Sequence, residues 1–386
     1  MKKRFTLATV LFTLVILLSV LQSSRADGEW RDTFADTSQI ESSVDVIQVT
    51  DTTGDFGKSF TLYPDNPLLT LESSDPWDAD GDVLRQVPAA VHPDVLYFPS
   101  GMDGYEFWMI YTPFGEVPPG GSGTPDWYWE RMTLVRSHDG INWEKTDDYT
   151  NPLVSPGASG EWDSGWHADP DFVYAPGKGP AGEDWFLYYT GCPGAGSGCQ
   201  IALALSHDGK NYTKYNDPTT DGPFTDSDPV NEAYRCPAVI YDDEDDIFHM
   251  WYNWGAFDIG YATSPDGINW TPYNPISPGT WGYLVFQGTP GTFDQGGVTH
   301  MDVIYHAGQY WMYYLAKPTP AYAGLVVGLA TSPNGINWTQ HPDPIVTPSG
   351  QTWRWTDGGT RPVQTLYRPS AAIVALRCGS SPMTEA

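Results

Sequence analysis

The sequence predicts an all-β fold, a five-bladed β-propeller whose last blade is closed by strands from both termini. The first indication is a phrase of the form Ser-x-Asp/Asn-Gly-x-Asn-aromatic, which recurs at intervals of roughly sixty residues. Its four copies are SHDGINW (137–143), SHDGKNY (206–212), SPDGINW (264–270) and SPNGINW (332–338). The second indication is that runs of β-forming residues surround each copy, and no sustained helical period follows residue 26.

Each repeat contains four such runs in the same order. In the third repeat they are CPAVIYD (236–242), FHMWYN (248–253), IGYATS (259–264) and NWTPY (269–273). Val, Ile, Tyr, Trp and Thr are frequent in these runs, and turn residues bound them. Four short strands per repeat, repeated along the chain, are typical of propeller blades.

The fifth blade is predicted from the two ends of the chain. GGTRPVQTLY (358–367) is similar to GGVTHMDVIY (296–305) and supplies the first strand, and AAIVALR (371–377) supplies the second. VDVIQVT (44–50) and SFTLY (59–63) then complete the blade. Such closure leaves no open sheet edge. The alternative is four blades with ragged ends.

The repeated phrase is interpreted as a hairpin turn and not as a site. Asp-Gly supplies positive φ angles, and the Asp side chain caps the turn. The strand order places this turn on the face opposite the loops that precede each first strand. The aromatic residue that ends the phrase then starts strand four and packs between blades.

The N-terminal segment predicts export. A basic start, Lys2 to Arg4, precedes an apolar run over 5–21, and small residues end at Ala26. This pattern is that of a secretory signal peptide over 1–26, followed by a single propeller domain over 27–386. We expect a secreted, periplasmic or cell-envelope protein, and an uncleaved membrane anchor is the alternative.

Charge and cysteine usage limit the partners. The chain has 48 Asp and Glu against 19 Lys and Arg, a net charge of −29, so nucleic acid is not an expected partner. Cys192 and Cys199 bracket PGAGSG and are predicted to form a disulfide, which an exported protein can keep. The pairing of Cys236 and Cys378 stays open. We expect a monomer that has no membrane contact once the signal is cleaved.

Tryptophans are concentrated in the loops of the face opposite the repeated turn. Aromatic rings suit the C–H faces of sugars, and a few polar groups then fix the orientation of the ligand. The sequence therefore predicts carbohydrate binding at this mouth, although packing between blades is the alternative for these side chains. The predicted contact residues are Trp129, Trp166, Trp254 and Trp281.

The IGYATSPDGINW phrase and the FHMWYN and DPDFVY strands resemble the five-bladed propeller glycosidases of the arabinanase, levansucrase and invertase type, glycoside hydrolase families 32 and 43 and relatives. The resemblance covers 65–375. It implies hydrolysis of a poly- or oligosaccharide at the axial pocket by three carboxylates: a base or nucleophile, a pKa-tuning carboxylate and a general acid. It implies no cofactor, with calcium in the central channel as an option that some relatives use.

Carried over by position, only one of the three carboxylates is present. Asp169 matches the pKa-tuning carboxylate, whereas His92 occupies the base position and Arg235 the acid position. The nearby carboxylates expected to substitute are Asp94 or Asp302 as base and Glu232 as acid. The side chains expected to contact substrate hydroxyls or acidic groups are His92, His300, Arg235 and Arg361.

These departures keep two other functions open, a glycan-binding propeller that has lost the general acid and a propeller for protein contacts at the cell envelope. A further alternative concerns the aligned ring of axial residues, which could bind a metal, although hydrogen-bonded funnel residues are the commoner interpretation. No metal site is assigned on this basis. The ring consists of His92, Asp169, Cys236, His300 and Arg361.

Overall fold

The structure, a computed structural model, describes residues 47–48, 61–62, 89–116, 128–158, 161–193, 198–215, 234–255, 257–280, 282–306, 308–319 and 325–347. Every helix or strand element in these ranges is a β-strand. In chain order the strands are β1 (Ile47–Gln48), β2 (Thr61–Leu62), β3 (Ala89–Met102), β4 (Tyr105–Glu116), β5 (Tyr128–Glu130), β6 (Thr133–Ser137), β7 (Trp143–Glu144), β8 (His167–Tyr174), β9 (Trp185–Gly191), β10 (Gln200–Ser206), β11 (Thr213–Lys214), β12 (Tyr234–Asp242), β13 (Ile247–Trp254), β14 (Asp258–Ser264), β15 (Thr271–Pro272), β16 (Leu284–Gln287), β17 (Val298–His306), β18 (Gln309–Ala316), β19 (Val326–Ser332) and β20 (Thr339–Gln340).

The strands form four antiparallel blades, each ordered from its first to its fourth strand. The blades are β3-β4-β6-β7, β8-β9-β10-β11, β12-β13-β14-β15 and β17-β18-β19-β20. β5 adds to β4, and β16 adds to β14. The first strands of successive blades contact one another, β3 with β8, β8 with β12, and β12 with β17. They therefore surround the axis of a β-propeller, as the sequence predicts.

The predicted number of blades is wrong for the described residues, which form four and not five. The strands predicted at 358–367 and 371–377 lie outside them, as does the signal peptide predicted at 1–26. The two predicted N-terminal strands do pair, with Ile47 opposite Leu62 and Gln48 opposite Thr61. That ladder is a separate two-stranded sheet, because no hydrogen-bonded pairing in the described part of the chain joins it to a blade.

The core lies between neighbouring blades. Trp108, Phe172 and Trp185 fill the space between the first two blades, and the Trp108 and Trp185 rings stack with centroids 5.1 Å apart. Similar clusters join the second blade to the third and the third to the fourth. Deleting a fully buried Trp side chain of this kind costs about 3–5 kcal/mol, so interblade packing dominates the stability of the fold. The described ranges hold no helix long and apolar enough to span a membrane.

The repeated phrase forms the hairpin turn between the third and fourth strands. Asp139 Oδ1 accepts the backbone N–H groups of Ile141 (2.8 Å) and Asn142 (2.7 Å). Ser137 Oγ accepts the N–H of Gly140 at 2.8 Å, and Gly140 has φ +73°. The Asp-Gly pair therefore supplies the cap and the left-handed residue that this turn needs.

The turns of the third and fourth blades also bind each of these blades to the one before it. The Tyr188 hydroxyl of the second blade donates to the Gly267 carbonyl of the third blade at 2.8 Å. Trp251 Nε1 of the third blade donates to the Gly335 carbonyl of the fourth at 2.8 Å. The aromatic residue that ends the phrase lies at the same contact, since the Trp338 ring packs against the Trp251 ring at 6.1 Å. The phrase therefore sets the spacing between blades.

Candidate active site at the propeller axis

A β-bulge interrupts the first strand of every blade at the same place. The register shifts fall between Val91 and Asp94, Ala168 and Asp171, Arg235 and Ala238, and Thr299 and Met301. One residue in each bulge adopts the left-handed backbone conformation, which costs a non-glycine residue about 1–2 kcal/mol. Strained residues of this kind concentrate at functional sites. They are His92 (φ 51°), Asp169 (φ 51°), Cys236 (φ 50°) and His300 (φ 45°).

The side chains of these four residues meet at the axis. Asp169 Oδ1 lies 3.2 Å from His92 Nδ1 and 3.8 Å from His300 Nε2. Cys236 Sγ donates to Asp169 Oδ2 at 3.3 Å, and the two imidazole rings stack at 6.0 Å. His92, Asp169 and Cys236 are buried, and His300 is partly exposed. Four residues from four blades thus form one axial cluster.

Hydrogen bonds between blades hold the strained backbone in place. The hydroxyl of Thr190 accepts the N–H of Cys236 at 2.9 Å, and Asn253 Oδ1 accepts the N–H of His300 at 2.9 Å. The N–H of Asp169 is directed at His92 Nδ1 at 3.3 Å. Each of these N–H groups is displaced from the strand ladder by the bulge, and each finds its acceptor in the preceding blade.

Electrostatics favour a charged Asp169 beside a neutral His300. Burial alone raises the pKa of Asp169, but the histidines, Thr190 and Cys236 outweigh it and bring the pKa below its usual value. Burial lowers the pKa of His300 to about 3, although the Asp169 carboxylate opposes this shift, and nearby His92 and Arg235 contribute to it. At neutral pH the imidazole of His300 therefore carries no charge.

One carboxylate oxygen in the cluster has no hydrogen-bond donor. Asp169 Oδ1 is buried and receives no hydrogen bond. His92 Nδ1 is not the missing donor in this geometry, because it accepts the backbone N–H of Asp169. An ionised oxygen that is desolvated and lacks a donor is costly, so this position favours a cation.

The cluster has the donor set and the size of a divalent metal site. Asp169, Cys236 and His300 each offer one ligand atom, and these atoms lie within 4.8 Å of one another. Tetrahedral zinc with bonds of about 2.0–2.3 Å separates its ligand atoms by about 3.3–3.6 Å. The distance from Cys236 Sγ to Asp169 Oδ2 is 3.3 Å and that from His300 Nε2 to Asp169 Oδ1 is 3.8 Å, so each neighbour approaches a different oxygen of the carboxylate at close to that spacing. The sequence analysis assigned no metal to these residues.

The carboxylates two residues after the axial positions lie inside the blades. Asp94 is buried, and its Oδ2 accepts the N–H of Phe172 in the next blade at 2.7 Å. Asp302 is also buried and pairs across β17 and β18 with Tyr313. Asp94 therefore links the first two blades, while Asp169 is the carboxylate of the axial cluster. Glu232 lies outside the described residues.

The residues predicted to contact sugar lie in different parts of the structure, and two of them are outside the described residues. Trp166 is partly exposed, and its backbone N–H donates to the Cys192 carbonyl at 3.1 Å, next to the Cys192–Cys199 disulfide. Trp254 is partly exposed, with its ring 4.9 Å from that of Tyr234. The backbone of Trp129 lies in β5 opposite Gly115, and Arg235 pairs with Asn253 just before the axial cysteine. Trp281 and Arg361 lie outside the described residues.

Sequence reasoning missed the residues that support the axial cluster. Thr112, Thr190 and Asn253 each follow the aromatic part of the second strand of a blade, and Thr299 directly precedes His300. The available signal was a polar residue at the end of runs such as DWFLYYT and FHMWYN. Nothing in the pattern showed that Thr190 and Asn253 accept hydrogen bonds from the next blade.

No protein-family model matches the chain. The chain is 25% identical over 315 residues to the A type blood N-acetyl-α-D-galactosamine deacetylase of Flavonifractor plautii. The match covers 73% of this chain and 38% of that protein, so the chain spans well under half the length of this curated relative.

Similar folds occur in solved structures of carbohydrate-processing proteins. An N-acetylgalactosamine deacetylase from F. plautii, in complex with blood group B trisaccharide, has a TM-score of 0.51 at 23% identity over 73% of this chain and 77% of that one. A β-1,2-mannobiose phosphorylase from Listeria innocua, in complex with β-1,2-mannobiose, has a TM-score of 0.52 at 12% identity over 76% and 90%. The chain therefore has a propeller fold used by carbohydrate-active enzymes.

Proposed function

We propose that this protein is a carbohydrate deacylase, which removes the N-acetyl group of an amino sugar at the propeller axis with the help of a divalent metal ion. The observation that carries the proposal is the composition of the axial cluster, which has one carboxylate beside two imidazoles and a thiol. Glycoside hydrolysis generally uses two carboxylates that face each other across the scissile bond. The similarity to a deacetylase points in the same direction.

Asp169, Cys236 and His300 would hold the ion. A bound divalent ion polarises a carbonyl group and lowers the pKa of a bound water, which is the chemistry that amide hydrolysis needs. The mixed oxygen, nitrogen and sulfur donor set suits zinc and similar ions. Calcium prefers six to eight oxygen ligands, so this cluster does not match the calcium expected as an option from the sequence.

His92 is the residue that we assign to proton transfer. Its Nδ1 accepts the Asp169 N–H at 3.3 Å and lies 3.2 Å from the Thr112 hydroxyl. The ring would take up the proton that the attacking water gives off and, as an imidazolium, would give a proton to the amine that leaves when the C–N bond breaks. Water supplies the oxygen of the acetate product, and the sugar keeps a free amino group. Trp166, Trp254 and Arg235 are proposed to position the sugar.

Glycoside hydrolysis is the second candidate, favoured by the match of Asp169 to the pKa-tuning carboxylate of the propeller glycosidases. It would require Glu232 as the general acid. Non-catalytic glycan binding is the third candidate. We also propose export through the 1–26 segment.

The product released from a sugar distinguishes these candidates. We expect the full chain, supplied with zinc, to release acetate and a free amine from oligosaccharides that contain N-acetylgalactosamine or N-acetylglucosamine. Acetate would be measured enzymatically and new reducing ends by a colorimetric assay in the same samples. New reducing ends without acetate would overturn the deacylase in favour of the hydrolase. Sugar binding by calorimetry without either product would favour the glycan-binding protein.

Cobalt substitution tests whether Cys236 is a ligand. We expect Co²⁺ added to the metal-free protein to give a near-ultraviolet thiolate-to-cobalt band, because a coordinating thiol is deprotonated and bonds directly to the metal. Cys236→Ser should abolish this band. Cys378→Ser is the matched control and should keep it, and the disulfide removes Cys192 and Cys199 as thiolate sources. An unchanged band in Cys236→Ser would contradict the assignment.

A further inference from the structure

The proton position on the His300 ring follows from its hydrogen-bond partners in the third and fourth blades. Asn253 is the next-to-last residue of the second strand of the third blade, and Thr299 directly precedes His300 in the first strand of the fourth. Thr299 Oγ1 lies 3.1 Å from Asn253 Oδ1 and 2.8 Å from His300 Nδ1. Asn253 and Thr299 are buried.

Backbone groups determine the orientation of the Asn253 amide. Its Oδ1 accepts the N–H of His300 at 2.9 Å, and its Nδ2 donates to the carbonyls of Asp258 (3.1 Å) and Val298 (3.4 Å). The flipped amide would point its NH₂ group at a backbone N–H and its oxygen at two carbonyl oxygens. Those contacts are repulsive, so the atom that faces Thr299 is an acceptor.

The amide orientation then determines the direction of the Thr299 hydroxyl. A hydroxyl has one hydrogen, and Asn253 Oδ1 can only accept, so the Thr299 hydroxyl donates to Oδ1. The Thr299 oxygen, having given its only hydrogen to Asn253, can then only accept a hydrogen bond from His300 Nδ1. The opposite arrangement would leave Thr299 and Asn253 as two facing acceptors. It would also leave a proton on Nε2, for which Asp169 Oδ1 at 3.8 Å is beyond hydrogen-bond distance.

We infer that Asn253 and Thr299 form a relay that holds the proton of His300 on Nδ1 and presents the Nε2 lone pair to the axis. They act as positioning residues, since they contact the backbone or the ring of His300 and not the reacting atoms. The inference about the tautomer depends only on the hydrogen bonds. Its consequence, a ring prepared to bind a metal through Nε2, depends on the proposed function.

Nitrogen NMR tests the tautomer directly. In the full-length metal-free protein with ¹⁵N-labelled histidine, long-range proton–nitrogen correlations should show His300 protonated on Nδ1, and His300→Gln would identify its signals. Thr299→Val should shift the proton to Nε2, because the hydroxyl acceptor is lost at nearly constant volume. Thr299→Ser is the matched control and should keep the wild-type pattern. Asn253→Ala should lower the Nδ1–H fraction, because the hydroxyl is then free to donate to Nδ1.

Zinc affinity provides the second readout. Competition with a chelator should show affinity about 10- to 100-fold weaker in Thr299→Val, the usual effect of removing a group that orients a metal ligand. Thr299→Ser should stay within a few-fold of wild type. A wild-type proton on Nε2, or a Thr299→Val spectrum like that of wild type, would overturn the relay. The expected tautomers without zinc binding would support the relay and overturn the proposed metal centre.

Discussion

Asp169→Asn is expected to abolish divalent-ion binding and to lower kcat/KM for deacetylation by about a thousandfold, at the upper end of the effect of deleting one catalytic electrostatic group. Asn has nearly the size of Asp and keeps one oxygen, but it has no negative charge. Its NH₂ group would occupy space that the proposed ion needs, between His92 Nδ1 and His300 Nε2. Metal content by mass spectrometry and acetate release would both be measured.

Asp139→Asn is the matched control for this experiment. Asp139 caps the repeated turn of the first blade, and the corresponding position of the fourth blade naturally holds an Asn, Asn334. Asn334 Oδ1 accepts the N–H groups of Ile336 (3.1 Å) and Asn337 (2.9 Å), the contacts that Asp139 makes in its own blade. The control should keep metal content and activity. Wild-type activity in Asp169→Asn would contradict the axial site.

Gly267→Ala is expected to lower the free energy of unfolding by about 2–5 kcal/mol, the sum of a left-handed backbone cost and an overpacking cost. Gly267 has φ +73°, and an added Cβ would lie 2.8 Å from both Phe186 Cε1 and the Tyr188 hydroxyl oxygen. Tyr188 also donates to the Gly267 carbonyl, so movement of the turn would weaken an interblade hydrogen bond. Urea unfolding monitored by tryptophan fluorescence would measure the change.

Gly104→Ala separates the two costs. Gly104 has φ +90°, and an added Cβ would meet no atom within 4 Å. This variant should lose about 1–2 kcal/mol, the backbone cost alone. Equal losses in the two variants would show that the phrase contributes only turn geometry and no interblade spacing.

The strands and turns of the blades could be predicted from the sequence because each depends on residues that are close together in the chain. Strands such as FHMWYN and IGYATS and turns such as SPDGINW depend on neighbouring residues, and their repetition indicated the architecture. The count of blades depends on pairing between residues far apart in the chain. In the described residues β1 pairs with β2 but with no blade, and no local pattern shows in advance whether such a pair of strands joins a blade.

The candidate site was only partly predictable for a similar reason. Alignment of the first strands places His92, Asp169, Cys236 and His300 at the same position, but it cannot show that Asp169 Oδ1 lacks a donor. It also suggested Asp94 as a base, whereas Asp94 Oδ2 accepts a backbone N–H of the next blade. A β-bulge changes which side chains face the axis, and a bulge leaves little trace in the alternation of residues.

The sequence by itself determined the strands, the capped turns and the disulfide-forming pair, because each depends on residues within a short segment. The tertiary structure decided which side chains meet at the axis and which atoms they present. Asp169 Oδ1 and His300 Nε2 belong to the second and fourth blades, yet lie 3.8 Å apart. The backbone N–H groups of Cys236 and His300 donate to Thr190 and Asn253 of the preceding blade, and these hydrogen bonds hold the axial residues in place. Contacts between distant segments exist only once the blades are packed around a common axis.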